Sequence, residues 1–225
     1  MAPALVLFDI DGTLVRRAGP QHRTALVTAV RHVTGVETTT EEIPVQGMLD
    51  RDILRIMIRN AGVSSVKVAQ HMPAIVFAAQ ASYASTCPDL RRKVCPGVRI
   101  LLRRLQRKGF VIALVTGNLT LIGWAKVRRA GIAEYFRYGV FAEEAKDRAG
   151  LVRIAVREAR QQGWIERDAA ITLIGDHEND ILAAKANGIR VVSVATGISS
   201  ANDLKRLKPD VLLADLRALE LDMLL

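Results

Sequence analysis

At 225 residues, half of them hydrophobic but only 4% aromatic, the chain is long enough to bury a substantial core of Val, Ile, Leu and Ala, a composition suited to an α/β protein. The net charge of +9, from 32 Lys and Arg against 23 Asp and Glu, suits anionic partners, yet the arginines are spread over several helical stretches without aromatic interleaving and read as solvated faces, so no nucleic-acid partner is expected. Cys87 and Cys95 are too few for a disulfide framework and are expected as thiols; no apolar run reaches membrane-span length and the first lacks leader features, so a cytoplasmic protein with no membrane contact is expected.

Ala4 to Phe8 is a continuous apolar run of strand length, as expected for a strand buried on both faces of a parallel sheet. From about Pro20 the period becomes helical, with Leu26, Ala29, Val30 and Val33 on one face and an end near Gly35. Leu49, Ile53, Ile56 and Met57 mark a second helix stopping at Asn60 to Gly62. A third helical stretch runs from Ser65 to Ser85, with Pro73 expected to break or kink it early. Nothing between Val15 and Lys93 reads as a strand, which predicts an all-helical insertion. After Cys95-Pro96-Gly97 helix and strand alternate. Strands are expected at Phe110 to Val115, Tyr138 to Phe141, Ile171 to Asp176, Arg190 to Val194 and Asp210 to Leu213, and helices at Val98 to Gly109, Leu119 to Ala130, Arg148 to Gln162 and Ile181 to Gly188. That alternation predicts an α/β fold with a doubly wound, Rossmann-like parallel sheet, which the first strand must rejoin across the insertion. The implied organisation is a discontinuous core, 1–15 with 94–225, and a helical domain at 16–93.

Three strand-like runs end in polar residues: Asp9 and Asp11 after the first, Thr116 and Asn118 after the second, Asp176 and Asp180 after another. The carboxyl edge of a parallel sheet is where ligands bind. Four carboxylates converging there repel one another unless a cation joins them, and Mg²⁺ suits oxygen ligands. Beside a hydroxyl, an amide and a cation, either Lys146 or Arg148, such a site suits a phosphoryl group. One carboxylate can attack phosphorus while another exchanges protons with the leaving group and water, and Asp9 with Asp11 supplies the pair.

In this order and spacing, Asp9-Ile10-Asp11-Gly12-Thr13-Leu14, Thr116-Gly117-Asn118 and Gly175-Asp176-His177-Glu178-Asn179-Asp180 resemble the motifs of the haloacid dehalogenase superfamily. The helical insertion after the first motif resembles the cap of its phosphoglycolate phosphatase-like branch, and the likeness covers nearly the whole chain. The resemblance implies a Mg²⁺-dependent hydrolase of a small phosphorylated metabolite. By it, Asp9 is the nucleophile that becomes an aspartyl-phosphate and Asp11 the general acid and base. Thr116, Gly117 and Asn118 bind phosphate, and Asp176 and Asp180 hold the metal with Asp9 and the carbonyl of Asp11. The basic residue that relatives place before the last motif is Arg148 or Lys146, with Arg148 favoured because some relatives carry arginine there. Gly47-Met48-Leu49-Asp50 resembles the cap stretch that faces the site, which makes Asp50 and Arg51 candidates for substrate contact; Asp50 as a cap of its own helix is the alternative.

A sugar phosphomutase of the same superfamily is the nearest rival, since Asp11 serves both reactions, and a non-catalytic phosphate-binding module is the rival from another class. A dehalogenase is disfavoured by the second aspartate of the first motif. A monomer and a homodimer remain equally open.

Overall fold

The computed structural model describes residues 2–16 and 19–225. Its centre is a six-stranded sheet: β1 (Ala2–Phe8), β2 (Val111–Val115), β3 (Tyr138–Val140), β4 (Ile165–Gly175), β5 (Arg190–Val194) and β6 (Val211–Leu213). Every neighbouring pair is parallel, in the order β3-β2-β1-β4-β5-β6. The chain therefore builds outward from β1 on one side through β3, then crosses back to begin again at β4. The switch point lies between β1 and β4, where a ligand crevice opens at the carboxyl ends of the strands. Leu5, Val6, Leu7 and Phe8 are fully buried, as are Ala113, Leu114 and Val115, because helices cover both faces of the sheet and leave no side for a polar alternation.

Helices α4 (Val98–Arg107), α5 (Thr120–Arg129), α6 (Arg148–Gln161), α7 (Glu178–Ala186) and α8 (Ala201–Arg206) belong to the crossovers. Before them in the chain come α1 (Gln21–Thr34), α2 (Asp50–Asn60) and α3 (Ser65–Thr86). Helix α1 packs along α3, and α3 leans on α5. The outgoing and returning segments run side by side: Arg16 N–H donates to Lys93 O at 2.8 Å and Cys95 N–H to Leu14 O at 2.9 Å.

Two expectations are corrected. Helix α3 is not broken at Pro73 but continues through it; Pro73 is exposed, as is Ala69, whose carbonyl has no helical donor at that position. Strand β4 begins at Ile165, before the expected Ile171. Its front half carries the exposed Glu166, Arg167 and Asp168, and β5 pairs only from Thr172 onward. Lacking a neighbour on that side, this stretch has no apolar run to read, and its register against β1 shifts between Ala2 and Ala4. Both cysteines are buried and free. Arg91, Arg92, Arg103, Arg128, Arg129, Arg157 and Arg160 are exposed, and Arg104 is partly buried. No helix among the described residues is long and apolar enough to cross a membrane.

Candidate active site

Asp9 follows β1 directly, and its N–H donates to Ile174 O at 3.0 Å, which fixes it beside β4. Asp176 follows β4, and Asp180 sits in the first turn of α7. There His177 and Asp180 form a reciprocal cap: Asn179 N–H donates to His177 Nδ1, and His177 N–H to Asp180 Oδ2, each at 3.1 Å. Oxygens of the buried Asp9, Asp176 and Asp180 lie within 4.8 Å of one another. Gly12 and Gly197 allow this crowding, since a Cβ on either would collide with the Asp176 carboxylate, and Gly12 takes a positive φ of 85°.

Among the described residues one cation pairs with these acids. Arg148, the first residue of α6, places Nη1 2.9 Å from both Asp9 Oδ1 and Asp180 Oδ1. The contact to Asp9 is a hydrogen bond, whereas Asp180 Oδ1 is buried with no hydrogen-bond partner. Burial, then Asp9 and Asp180, pushes the Asp176 carboxyl well above its usual range, and Thr13 Oγ1 donating at 2.9 Å offsets only part of this. Burial, against the pull of Arg148, raises Asp180 to about 7. The opposing charges outweigh burial at Arg148 and raise it further. Three hard oxygen donors, an excess of negative charge and an orphaned carboxylate oxygen fit a divalent cation.

Asp11 faces away from this cluster. Its Oδ2 accepts from Asn118 Nδ2 at 2.8 Å and Lys126 Nζ at 2.6 Å. The surrounding protein penalises its charge, but Lys126, aided by the hydrogen bonds from Lys126 and Asn118, holds its carboxyl below the ordinary carboxylate range. Asn118 Nδ2 also donates to the buried Thr116 Oγ1 at 2.7 Å. Gly117 lies against Met48 O, where a Cβ would clash, and its own carbonyl accepts Asp50 N–H at 2.8 Å. Around these groups lies a cavity of about 580 Å³, which Asp9, Asp11 and Asn118 line from the sheet edge and Leu26, Met48 and Ile53 from the helical segment.

The remaining sequence candidates divide. Arg148 reaches the acids, while Lys146 is exposed and outside the cavity lining. Asp50 is buried at the cavity but does not cap α2; its Oδ2 accepts Leu119 N–H at 2.8 Å, at the start of α5, and meets His22 Nε2 at 2.9 Å. Arg51 points elsewhere, donating to Glu143 O at 3.1 Å and lining a separate groove with Arg55 and Arg59. Sequence reading missed Lys126 and His22. A signal existed for Lys126, which interrupts the buried stripe of Ile122 and Val127 on α5. His22 had none, because its partners lie 28 and 104 residues away.

The model of the haloacid dehalogenase-like hydrolase family matches residues 3–188. A phosphoglycolate phosphatase of Pseudomonas fluorescens (strain Pf0-1) is 27% identical over 229 residues, covering 96% of this chain and 78% of that protein. Among solved structures, CbbY from Rhodobacter sphaeroides in complex with phosphate has a TM-score of 0.72 at 19% identity, covering 100% of this chain and 99% of its own. A β-phosphoglucomutase from Clostridium difficile has a TM-score of 0.70 at 18% identity, with 99% and 95% covered. With its acids gathered at the carboxyl edge of the sheet and the family model spanning most of its length, the chain belongs to the haloacid dehalogenase-like hydrolases.

Proposed function

We propose that the chain is a phosphatase that hydrolyses a small phosphate monoester in two steps through a phosphorylated Asp9, with a low-identity likeness to phosphoglycolate phosphatases. The observation that carries this reading is the position of Asp9: a buried carboxylate beside Arg148, Asp176 and Asp180, at the floor of a cavity that also receives Asp11 and Asn118. Asp9, Asp176 and Asp180 would hold Mg²⁺, with the Asp11 carbonyl as a further donor; the bound ion offsets the charge of the acids and of the phosphoryl group.

In the first step an Asp9 oxygen forms a bond to phosphorus and the ester P–O bond breaks. Asp11 passes a proton to the departing oxygen. In the second, Asp11 takes a proton from a water that attacks phosphorus, and inorganic phosphate leaves with Asp9 restored. Asp11 is held below the ordinary carboxylate range, and a monoanionic ester supplies the proton that it passes on. Arg148, Thr116, Gly117 and Asn118 orient the phosphoryl oxygens. Residues 16–93 act as a cap on the core of 1–15 and 94–225, with the adjoining segments near Val15 and Val94 as the hinge, and close the cavity against bulk water. Two buried thiols fit a reducing compartment such as the cytoplasm.

Asp9→Asn is expected to abolish turnover of 4-nitrophenyl phosphate in the presence of Mg²⁺, a loss of about a thousandfold or more in kcat, while the far-ultraviolet circular dichroism stays unchanged. Substantial remaining turnover would remove Asp9 from the nucleophile's role. A panel of metabolite phosphate esters, assayed for phosphate release, then identifies the leaving group.

A further inference from the structure

Lys126 is the only buried lysine among the described residues, at 1% exposure, and a buried ammonium is costly unless met on several sides. Here it is met on three. Its Nζ donates to Asp11 Oδ2 and Asn118 Oδ1, both at 2.6 Å, and stands 3.2 Å from His22 Nδ1. An ammonium has three donors and no acceptor, so His22 Nδ1 accepts and Nε2 carries the proton that it shares with Asp50 Oδ2. Asp50 Oδ2 in turn accepts the N–H of Leu119 at the start of α5. The circuit runs from Asp11 through α5, α1 and α2 and returns to α5. Tyr83 of α3 packs over it, 5.6 Å from the His22 ring and 5.8 Å from Lys126 Nζ.

All three donors of Lys126 are spent on protein atoms, which leaves none for a substrate phosphate. Asp11 is held twice through Oδ2, while its Oδ1 has no hydrogen bond among the described residues. We propose that Lys126 is a positioning residue that aims Asp11 for proton transfer, and that it does so only while His22 and Asp50 are seated against α5, so that docking of the cap and aiming of the proton donor are one event. The inference rests on the reading of Asp11 as the acid, and the test separates the two.

The experiment is a series of aryl phosphates from 2,4-dinitrophenyl to phenyl phosphate, with kcat/KM plotted against the leaving phenol's pKa. This ratio reports the first phosphoryl transfer, in which a good leaving group needs no proton and a poor one does. Lys126→Met is expected to lose about tenfold more on phenyl phosphate than on 2,4-dinitrophenyl phosphate. An equal loss across the series overturns the proposal and leaves Lys126 a purely structural role. Asp11→Ala is the reference: an unchanged slope there refutes the acid assignment instead. His22→Phe keeps Lys126 and Asp11 and removes the cap-side partner; it is expected to steepen the plot in the same sense. A flat dependence in that variant overturns the proposal whether or not Lys126→Met folds. Without turnover, nitrogen-15 NMR is expected to show His22 as the Nε2–H tautomer in the native protein and as a mixture in Lys126→Met. A tautomer unmoved by the substitution counts against the proposal.

Discussion

Arg148 is where a single side chain decides most. Among the described residues its guanidinium is the one cation in contact with Asp9 and Asp180, so Arg148→Met takes from three buried carboxylates the counter-charge that the structure shows. Breaking a buried pair in this way costs about 3–5 kcal/mol. The metal-free variant is expected to lose that much in urea unfolding and to regain much of it with Mg²⁺, shifting its Tm further on metal addition than the native protein does. A loss that Mg²⁺ does not relieve would separate Arg148 from the acid cluster. The acids themselves were legible, because each follows an apolar run whose direction is set by the parallel sheet. Choosing between Lys146 and Arg148 was not. The two lie on either side of Asp147, which caps α6 by accepting Gly150 N–H at 2.7 Å, and only the entry angle of that helix turns one into the cavity and the other to solvent.

At the level of elements, the loop before α2 rests on the strand-end turn of β2. Gly117 is required by contact rather than by a positive φ: a Cβ there would collide with the backbone carbonyl of Met48, which cannot swing aside as a side-chain tip can. Gly117→Ala is expected to cost about 1–3 kcal/mol and to raise KM for aryl phosphates. An unchanged KM would show that this loop contact does not shape the cavity. Helix α3 offers the opposite case. Pro73 is exposed within a helix of 22 residues, and a proline in a helix interior costs roughly 3 kcal/mol. Pro73→Ala is therefore expected to stabilise the protein by about 1–3 kcal/mol, less whatever the freer unfolded chain takes back, with kcat unchanged. Destabilisation would mean that the ring is needed where it sits. Sequence reading offered a break or a kink at the proline, and the break does not occur, because packing of α1 and α5 against α3 outweighs one missing hydrogen bond. The front of β4 was illegible for a different reason: a strand with a neighbour on one side only has no need of an apolar run.

For the molecule as a whole, the acid cluster sets how stability depends on pH. Asp180 is raised to about 7 and Asp176 well above its usual value, whereas both titrate near pH 4 in an unfolded chain. Between those limits the folded protein binds more protons than the unfolded one, so metal-free stability falls as pH rises from about 4 to about 7. Asp11, held below its usual value, acts in the opposite sense only at the acid end. Saturating Mg²⁺ binds the ionised acids and is expected to flatten or reverse the decline. Urea midpoints measured across that pH range, in chelator and in Mg²⁺, give the check; a metal-free stability that climbs toward pH 7 would contradict the clustering of these acids.

By itself the sequence determined the parallel sheet, the helical segment between its first two strands and the acids at its edge. These follow from local rules: an uninterrupted apolar run is buried on both faces, and its exit in a parallel sheet is the ligand edge. Only the tertiary structure decided which cation meets Asp9, that Arg51 serves a different surface, and that Lys126, His22 and Asp50 join the helical segment to Asp11. Those contacts span up to 139 residues of chain and depend on how helices are rotated and seated, which no local pattern of side chains encodes.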